Sequence, residues 1–326
     1  MKAGIFFILI FVLGVLYISY QVFLPVGLKE AAMRYSVPKG VTTDQISNDL
    51  ARKEIFHNAF EFSLLHWFIG DTIKDGTYYF TQGMSEYDMY RAFITGPVRR
   101  EKTITIIEGW TLNRIAEYLA SQGLANVSVF LDETKKDWST SYSFLINTGH
   151  VSSLEGYLFP DTYRVFEDAS SRDIIAKILS NFDRKFSEEM KRDARSVGLS
   201  IHEVVTLASI IEREVANDED RKLVSDILQR RLKINMALQA DSTVNYATGK
   251  SMPQASLSDI SIDSPYNTYK YRGLPPGPIG NPSLSSLRAV IYPKQNPYFY
   301  FLTSADGKVH YSKTFEEHKR KKQKYL

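Results

Sequence analysis

The residues best suited to chemistry are two carboxylates, Glu212 and Glu214. They close a run whose apolar positions are Ile201, Val204, Val205, Leu207, Ala208, Ile210, Ile211 and Val215. At about 100° per residue these positions cover more than half of a helix circumference, so the helix should be largely buried. Glu212 and Glu214 fall inside the apolar arc near its two opposite edges, and Arg213 points away from it. A carboxylate on such a helix is costly unless it is paired or lines a cleft. Burial also raises its pKa, which is what a general acid needs near neutral pH. The structural alternative is that one Glu pairs with an arginine, such as Arg230 or Arg231, or caps a loop. The pattern does not say which Glu would act.

The C-terminal third supplies material for a cleft. Gln239-Ala-Asp-Ser-Thr-Val-Asn-Tyr246 and Ser264-Pro-Tyr-Asn-Thr-Tyr269 read as short polar and aromatic runs between helices. Gly273-Leu-Pro-Pro-Gly-Pro-Ile-Gly-Asn-Pro282 reads as a rigid loop with little freedom to lose. Amides, hydroxyls and aromatic faces together suit a sugar chain: the faces stack on rings and the polar tips bind hydroxyls. With 20 Tyr and 19 Phe, most rings must belong to the core. Other chemistries lack their residues. Cysteine is absent and the six His are scattered without H-E-x-x-H, so no metal site is expected. There is no G-x-S-x-G. Gly249-Lys250-Ser251 resembles half a P-loop, but Val244 stands where the earlier Gly is required. A net charge of +3, from 40 basic against 37 acidic residues, argues against nucleic acid as a partner.

The elements that must hold these residues read as α+β. A pattern G-x-[ST]-x3-apolar-x3-apolar recurs at Gly40, Gly83 and Gly109. The Gly turns the chain, the Thr or Ser caps a helix, and two apolar residues four apart share one face. Thr42 with Gln45 forms a capping-box pattern, as does Ser200 with Glu203. Thr77–Phe80 and Thr103–Ile107 read as strands before two of the copies. The segment 154–163 is a structured loop or strand, 169–196 an amphipathic helix, and 221–232 another. Tyr298–Leu302 and Val309–Tyr311 read as strands paired across the turn 305–308.

The first segment has its own chemistry. Ala3 to Leu28 carries no charge, and Ile5 to Leu16 is nearly continuous Ile, Phe, Leu and Val. A bilayer-crossing helix needs about 20 such residues. A cleaved signal would have a shorter core and small residues at a cleavage site, and no A-x-A is present. The expectation is a transmembrane anchor over 3–24, residues 1–2 in the cytoplasm and everything from about Lys29 outside it. Anchor, small module and larger domain fit 326 residues.

Five ordered motifs together resemble the endolytic murein transglycosylases, the MltG or YceG-like family. They are Leu154-Glu-Gly-Tyr-Leu-Phe-Pro-Asp-Thr-Tyr163, Ala208-Ser-Ile-Ile-Glu-Arg-Glu214, Leu238-Gln-Ala-Asp-Ser-Thr-Val-Asn-Tyr246, Tyr266-Asn-Thr-Tyr269 and Gly273-Leu-Pro-Pro-Gly277. The resemblance implies a LysM-like module over 36–102 and a mixed α+β catalytic domain over 103–326. It implies a lyase without cofactor that cuts the glycan strands of peptidoglycan at the bacterial cell membrane, beside the peptidoglycan synthases. It places the catalytic acid at the second Glu of the motif, Glu214, with Glu212 in support. Glu155, Gln239, Asp241, Thr243, Tyr246, Asn267 and Tyr269 are the candidate substrate-binding residues, and Asp161, Glu155 or Asp241 could supply a second carboxyl. Two other functions stay open on the residues alone: a wall-binding scaffold that does not cut, and a hydrolase that leaves reducing ends.

Overall fold

The computed structural model describes residues 10, 12–14, 17, 20–28, 32–56, 58–97, 100–146, 153–250 and 256–326. Much of the expected anchor, 3–24, lies outside the described residues; those described there, up to Phe23, are helical. Among the described residues no single helix is long and apolar enough to cross a membrane. The chain divides into two units, Met1–Arg100 and Glu101–Leu326, each with its own apolar core. Both are mixed α+β.

The first unit runs β1 (Ala32–Val37), α1 (Thr43–Arg52), α2 (Ala59–Ile69), β2 (Gly76–Thr81), α3 (Glu86–Thr95), with β1 and β2 antiparallel. The second unit begins with the same order: β3 (Glu101–Thr105), α4 (Leu112–Ser121), α5 (Val127–Thr134), β4 (Thr162–Phe166), α6 (Ser171–Lys185), with β3 and β4 antiparallel. The likeness extends to individual contacts. Thr42 and Thr111 cap the first helices, and Ile46, Leu50 and Ile115, Leu119 are buried beneath them. Asn58 and Asn126 cap the second helices, and Phe62 and Phe130, four residues on, are fully buried. Tyr78 pairs with Tyr35 and Tyr163 with Ile104. Each of these two tyrosines donates its hydroxyl, at 2.5 Å, to the carbonyl four residues back. Ser85 with Asp88 and Ser170 with Asp173 form capping boxes seven residues after them.

The internal repeat is therefore one larger motif occurring twice. The third sequence match, at Gly83, heads the last helix of the first copy, whose cap Ser85 corresponds to Ser170. The second copy is longer because residues 135–161 intervene between α5 and β4.

The rest of the second unit is α7 (Glu188–Ser196), α8 (Ile201–Glu214), α9 (Asp218–Lys233), α10 (Asp241–Thr248), α11 (Leu284–Ile291), the antiparallel hairpin β5 (Tyr300–Thr303) and β6 (Val309–Ser312), and α12 (Phe315–Tyr325). Two expectations are corrected. The helix expected over 169–196 breaks where Phe186 turns wholly into the core and Ser187 caps a new helix on Met190 N–H. The run Gln239–Tyr246 is mostly helix. Ser242, Thr243 and Asn245 are buried on it, Gln239 stays exposed ahead of it, and Gly249 in the left-handed region ends the helix.

Candidate active site

Helix α8 starts at the capping box of Ser200 and Glu203 and buries eight consecutive residues, Val204 to Ile211. Its last turn, Glu212-Arg213-Glu214, emerges from the core and is stopped by the extended Val215. The loop from Pro276 to Ser283 runs along the helix and is fastened to it. His202 hydrogen-bonds Pro276 O at 2.9 Å, Ser209 accepts from Ile279 N–H at 3.0 Å, and Arg213 donates to Ile279 O at 3.4 Å.

The two glutamates have different surroundings. Glu212 is almost sealed from solvent and accepts from Arg221 at 2.7 Å on one oxygen. Its other oxygen accepts from Ser283 N–H at 2.8 Å and from the Ser283 hydroxyl. A carboxylate with both oxygens so occupied is held in place by its partners. The arginine partner is Arg221, not Arg230 or Arg231. Arg230 binds Asp226, and Arg231 donates to the carbonyls of Leu238 and Phe299.

Glu214 keeps some exposure, yet the protein around its carboxyl removes most of its hydration, and this pushes its pKa up. Asp241 adds to the rise through its charge, and Ser242 opposes it. The Ser242 hydroxyl donates to Glu214 Oε1 at 2.7 Å, and its backbone N–H faces the same carboxyl. Glu214 also sits at the C-terminal end of α8, where the helix dipole disfavours negative charge. The Thr303 hydroxyl, on β5, ties Glu214 O at 3.1 Å. No arginine forms an ion pair with Glu214 among the described residues.

The candidate substrate residues divide into two groups. Asp241 and Tyr269 stand by Glu214, joined by a 2.7 Å hydrogen bond from the Tyr269 hydroxyl. Gln239 is exposed beside them with φ 53°. Thr243 and Asn267 are fully buried. Thr243 bonds Ala240 O and the Thr268 hydroxyl, and Asn267 donates to the carbonyls of Ile260 and Ile262. These contacts brace 239–243 against 267–269.

Tyr246, one turn beyond Ser242 on α10, donates to Glu155 at 3.3 Å. Glu155 is buried, and burial pushes its pKa up to about 7 despite the Leu112 N–H at 3.1 Å, the start of α4, and Tyr246. Asn281 reaches it at 3.4 Å and also binds Leu158 N–H and Trp110 O. One face of α10 thus touches both raised carboxyls, Glu214 through Ser242 and Glu155 through Tyr246. Asp161 is held apart from them by Asn181 and Lys185. Ser242 and Arg221 were not singled out from the sequence. Ser242 sat inside a quoted motif, but nothing local marks which hydroxyl meets Glu214.

The arrangement can donate one proton from Glu214 and take one back, beside a wall of amide, phenol and carboxylate groups. Known proteins resemble this chain over most of its length. A family model described as the YceG-like family matches residues 35–324. A protein of Bacillus subtilis named endolytic murein transglycosylase is 32% identical over 308 residues, covering 91% of this chain and 86% of that protein. A Streptococcus pneumoniae protein of the same name is 31% identical over 312 residues; the match covers 87% of this chain and 56% of that longer protein. A crystal structure of a yceG-like protein from Listeria monocytogenes superposes with a TM-score of 0.62 at 33% identity, covering 89% of this chain and 98% of that one. With the family model spanning most of its length, this chain belongs to the YceG-like family.

Proposed function

We propose that this protein is an endolytic murein transglycosylase, a lyase that cuts peptidoglycan glycan strands, with Glu214 as its catalytic residue. The observation that carries the assignment of the residue is the contrast within one helical turn. Glu212 is locked by Arg221 and Ser283, whereas Glu214 is desolvated, forms no ion pair among the described residues and is oriented by Ser242.

The chemistry needs a single carboxyl. Protonated Glu214 donates to the oxygen linking N-acetylmuramic acid C1 to N-acetylglucosamine, and that bond breaks. The resulting carboxylate takes the proton from the muramyl C6 hydroxyl as its oxygen closes on C1. The product is a 1,6-anhydromuramyl end, no water is consumed, and Glu214 is protonated again. Hydrolysis by contrast usually uses two carboxyls roughly 5–9.5 Å apart. Gln239, Asp241 and Tyr269 line the approach to Glu214 and are the groups placed to bind sugar hydroxyls and amides. Glu155, Thr243, Tyr246 and Asn267 hold the walls.

The uncharged stretch 3–24 anchors the chain in the cell membrane, with the catalytic unit outside. The strand–helix–helix–strand order of the first unit supports reading 36–102 as a LysM-like module. A catalytic unit tethered there meets nascent strands beside the synthases that make them, and internal cutting ends their growth.

The test is mass spectrometry of glycan strands digested by the full chain and by Glu214→Gln. Anhydro ends from the first and none from a folded second are expected. Reducing ends would replace the reaction by hydrolysis, and glycan binding with no new ends would make the protein a scaffold.

A further inference from the structure

The two copies of the strand–helix–helix–strand–helix motif differ on one face. Helices α2 and α5 register through their caps, Asn58 and Asn126, and their buried Phe62 and Phe130. In that register the outward positions of α5 and its C-cap turn are Ser128, Asp132, Lys135 and Lys136. All four are exposed, and Lys135 pairs with Asp132 at 3.0 Å. The same positions of α2 are Phe60, Leu64, Trp67 and Phe68. Three of these are among the most exposed apolar side chains of the described residues: Phe60 at 62%, Trp67 at 75% and Phe68 at 72%. Spaced i, i+4, i+7, i+8, they form one stripe along the helix. The fold does not require it, because the second copy buries Phe130 as the first buries Phe62 and carries polar residues at all four matching positions. A contiguous exposed apolar patch marks an interaction site.

The occupant is indicated by what else the first unit carries. The described part of its N-terminal helix exposes Ile10, Leu13, Tyr17, Tyr20 and Phe23, again apolar and aromatic. The end of that helix is seated on the unit itself. Val22 and Val26 are buried, Val26 N–H donates to Met84 O at 2.9 Å, and the Phe23 ring lies 4.9 Å from Tyr87 of α3. Helix α3 also carries Tyr90, whose hydroxyl shares a 3.0 Å hydrogen bond with His66 of α2. The apolar helix and the stripe are thus joined through α3 in one body. Trp and Phe are residues of the membrane interface, where an amphipathic helix lies with its apolar face below the headgroups. A sugar fits poorly. Trp67 and Phe68 pack edge-on at 76° instead of offering a flat platform, and the nearby Ser63 hydroxyl is spent on Ala59 O.

We infer that the stripe Phe60–Leu64–Trp67–Phe68 is a second membrane contact, laying the first unit on the lipid surface at the foot of the anchor. The inference rests on the membrane-anchored reading given above. It would hold the module, and the glycan it meets, at the bilayer surface.

The test uses the full chain in phosphatidylethanolamine–phosphatidylglycerol vesicles containing lipid brominated on its acyl chains. The other two tryptophans lie in the second unit, so the difference between the wild type and Trp67→Phe isolates Trp67. Its emission should fall about twofold with brominated lipid and be shielded from aqueous iodide, as for a side chain at the headgroup boundary. The triple variant Phe60→Ser, Leu64→Asp, Phe68→Lys copies the second copy's surface and should restore iodide access and abolish lipid quenching. Protein that floats with the vesicles while wild-type Trp67 stays open to iodide would overturn the stripe and leave the anchor standing. Protein that does not float would overturn both. Trp67 shielded from iodide and bromine alike would mean that protein covers the stripe, which also sinks the inference.

Discussion

The Ser242 hydroxyl donates to Glu214 Oε1 at 2.7 Å from the first turn of α10, so a helix N-terminus faces the carboxyl at a helix C-terminus. A donor to the ionised form lowers a pKa, and here it works against a rise caused chiefly by burial. Ser242→Ala should therefore push the Glu214 pKa further up. The acid form then survives to higher pH, so the alkaline limb of the pH–rate profile moves upward. The maximal rate should drop by about tenfold or more because the carboxyl loses its orientation. Profiles of kcat for both proteins measure this, and an unmoved limb would remove Ser242 from the proton-transfer step.

Glu212 and Glu214 should separate cleanly under the same substitution. Glu212→Gln takes from the Arg221 guanidinium its buried counter-charge and leaves it only the exposed Asp218, and breaking a buried pair costs up to about 3–5 kcal/mol. Glu214→Gln replaces a desolvated carboxyl that forms no ion pair among the described residues, so its stability should stay level or rise. Denaturant melts read the first effect and strand digestion the second. The expected pattern is an unstable but still active Glu212 variant and a stable but inactive Glu214 variant; the reverse would exchange their roles.

Why the sequence could not separate these two residues is instructive. Both lie on the same apolar arc, and what distinguishes them comes from other elements. Arg221 on α9 and Ser283 reach Glu212, and Ser242 on α10 reaches Glu214. The arginines considered from the sequence, Arg230 and Arg231, lie toward the far end of α9 and are spent on Asp226 and on backbone carbonyls. Resemblance to a family, not periodicity, singled out Glu214. Local signals are more legible. The capping boxes at Thr42 and Ser200, the two helices they start and the β5–β6 hairpin depend on neighbours in sequence, and the structure has them. The short α10 looks irregular in sequence because it is held by tertiary contacts of Ser242, Thr243 and Tyr246. The length of the repeated motif was hidden by residues 135–161, which displace β4 from the spacing of its counterpart.

Glu155 should make stability depend on pH. Its folded-state pKa is raised from an ordinary 4.5 to about 7 by burial. The folded protein therefore holds a proton that the unfolded chain releases. The stabilising contribution is complete below about pH 4.5 and is lost as pH rises through about 7. A shift of this size corresponds to about 3 kcal/mol. Glu155→Gln stays neutral and keeps an acceptor for Leu112 N–H and the Tyr246 hydroxyl, so it should flatten the decline in stability between pH 5 and 8, on the order of that magnitude. Equilibrium unfolding across this range checks it. Equal pH slopes in the two proteins would show that Glu155 is ionised in the folded state throughout.

Gly156 controls how the loop 276–283 lies on α8. Its φ is +87°, and a Cβ there would come within 2.5 Å of Pro278 and 2.7 Å of Val205. Alanine at this position meets a left-handed backbone penalty of about 1–2 kcal/mol and an overpacking cost of about 1–3 kcal/mol. Gly123→Ala is the control: φ is +70° and nothing lies within 4 Å, so only the backbone penalty applies. The difference between the two melts isolates the contact with Pro278. The loop that must give way carries Asn281 and Ser283, partners of Glu155 and Glu212. Gly156→Ala should therefore lower kcat along with stability, while Gly123→Ala lowers stability alone. If both variants kept full kcat, the seating of this loop would have no part in placing the carboxyls.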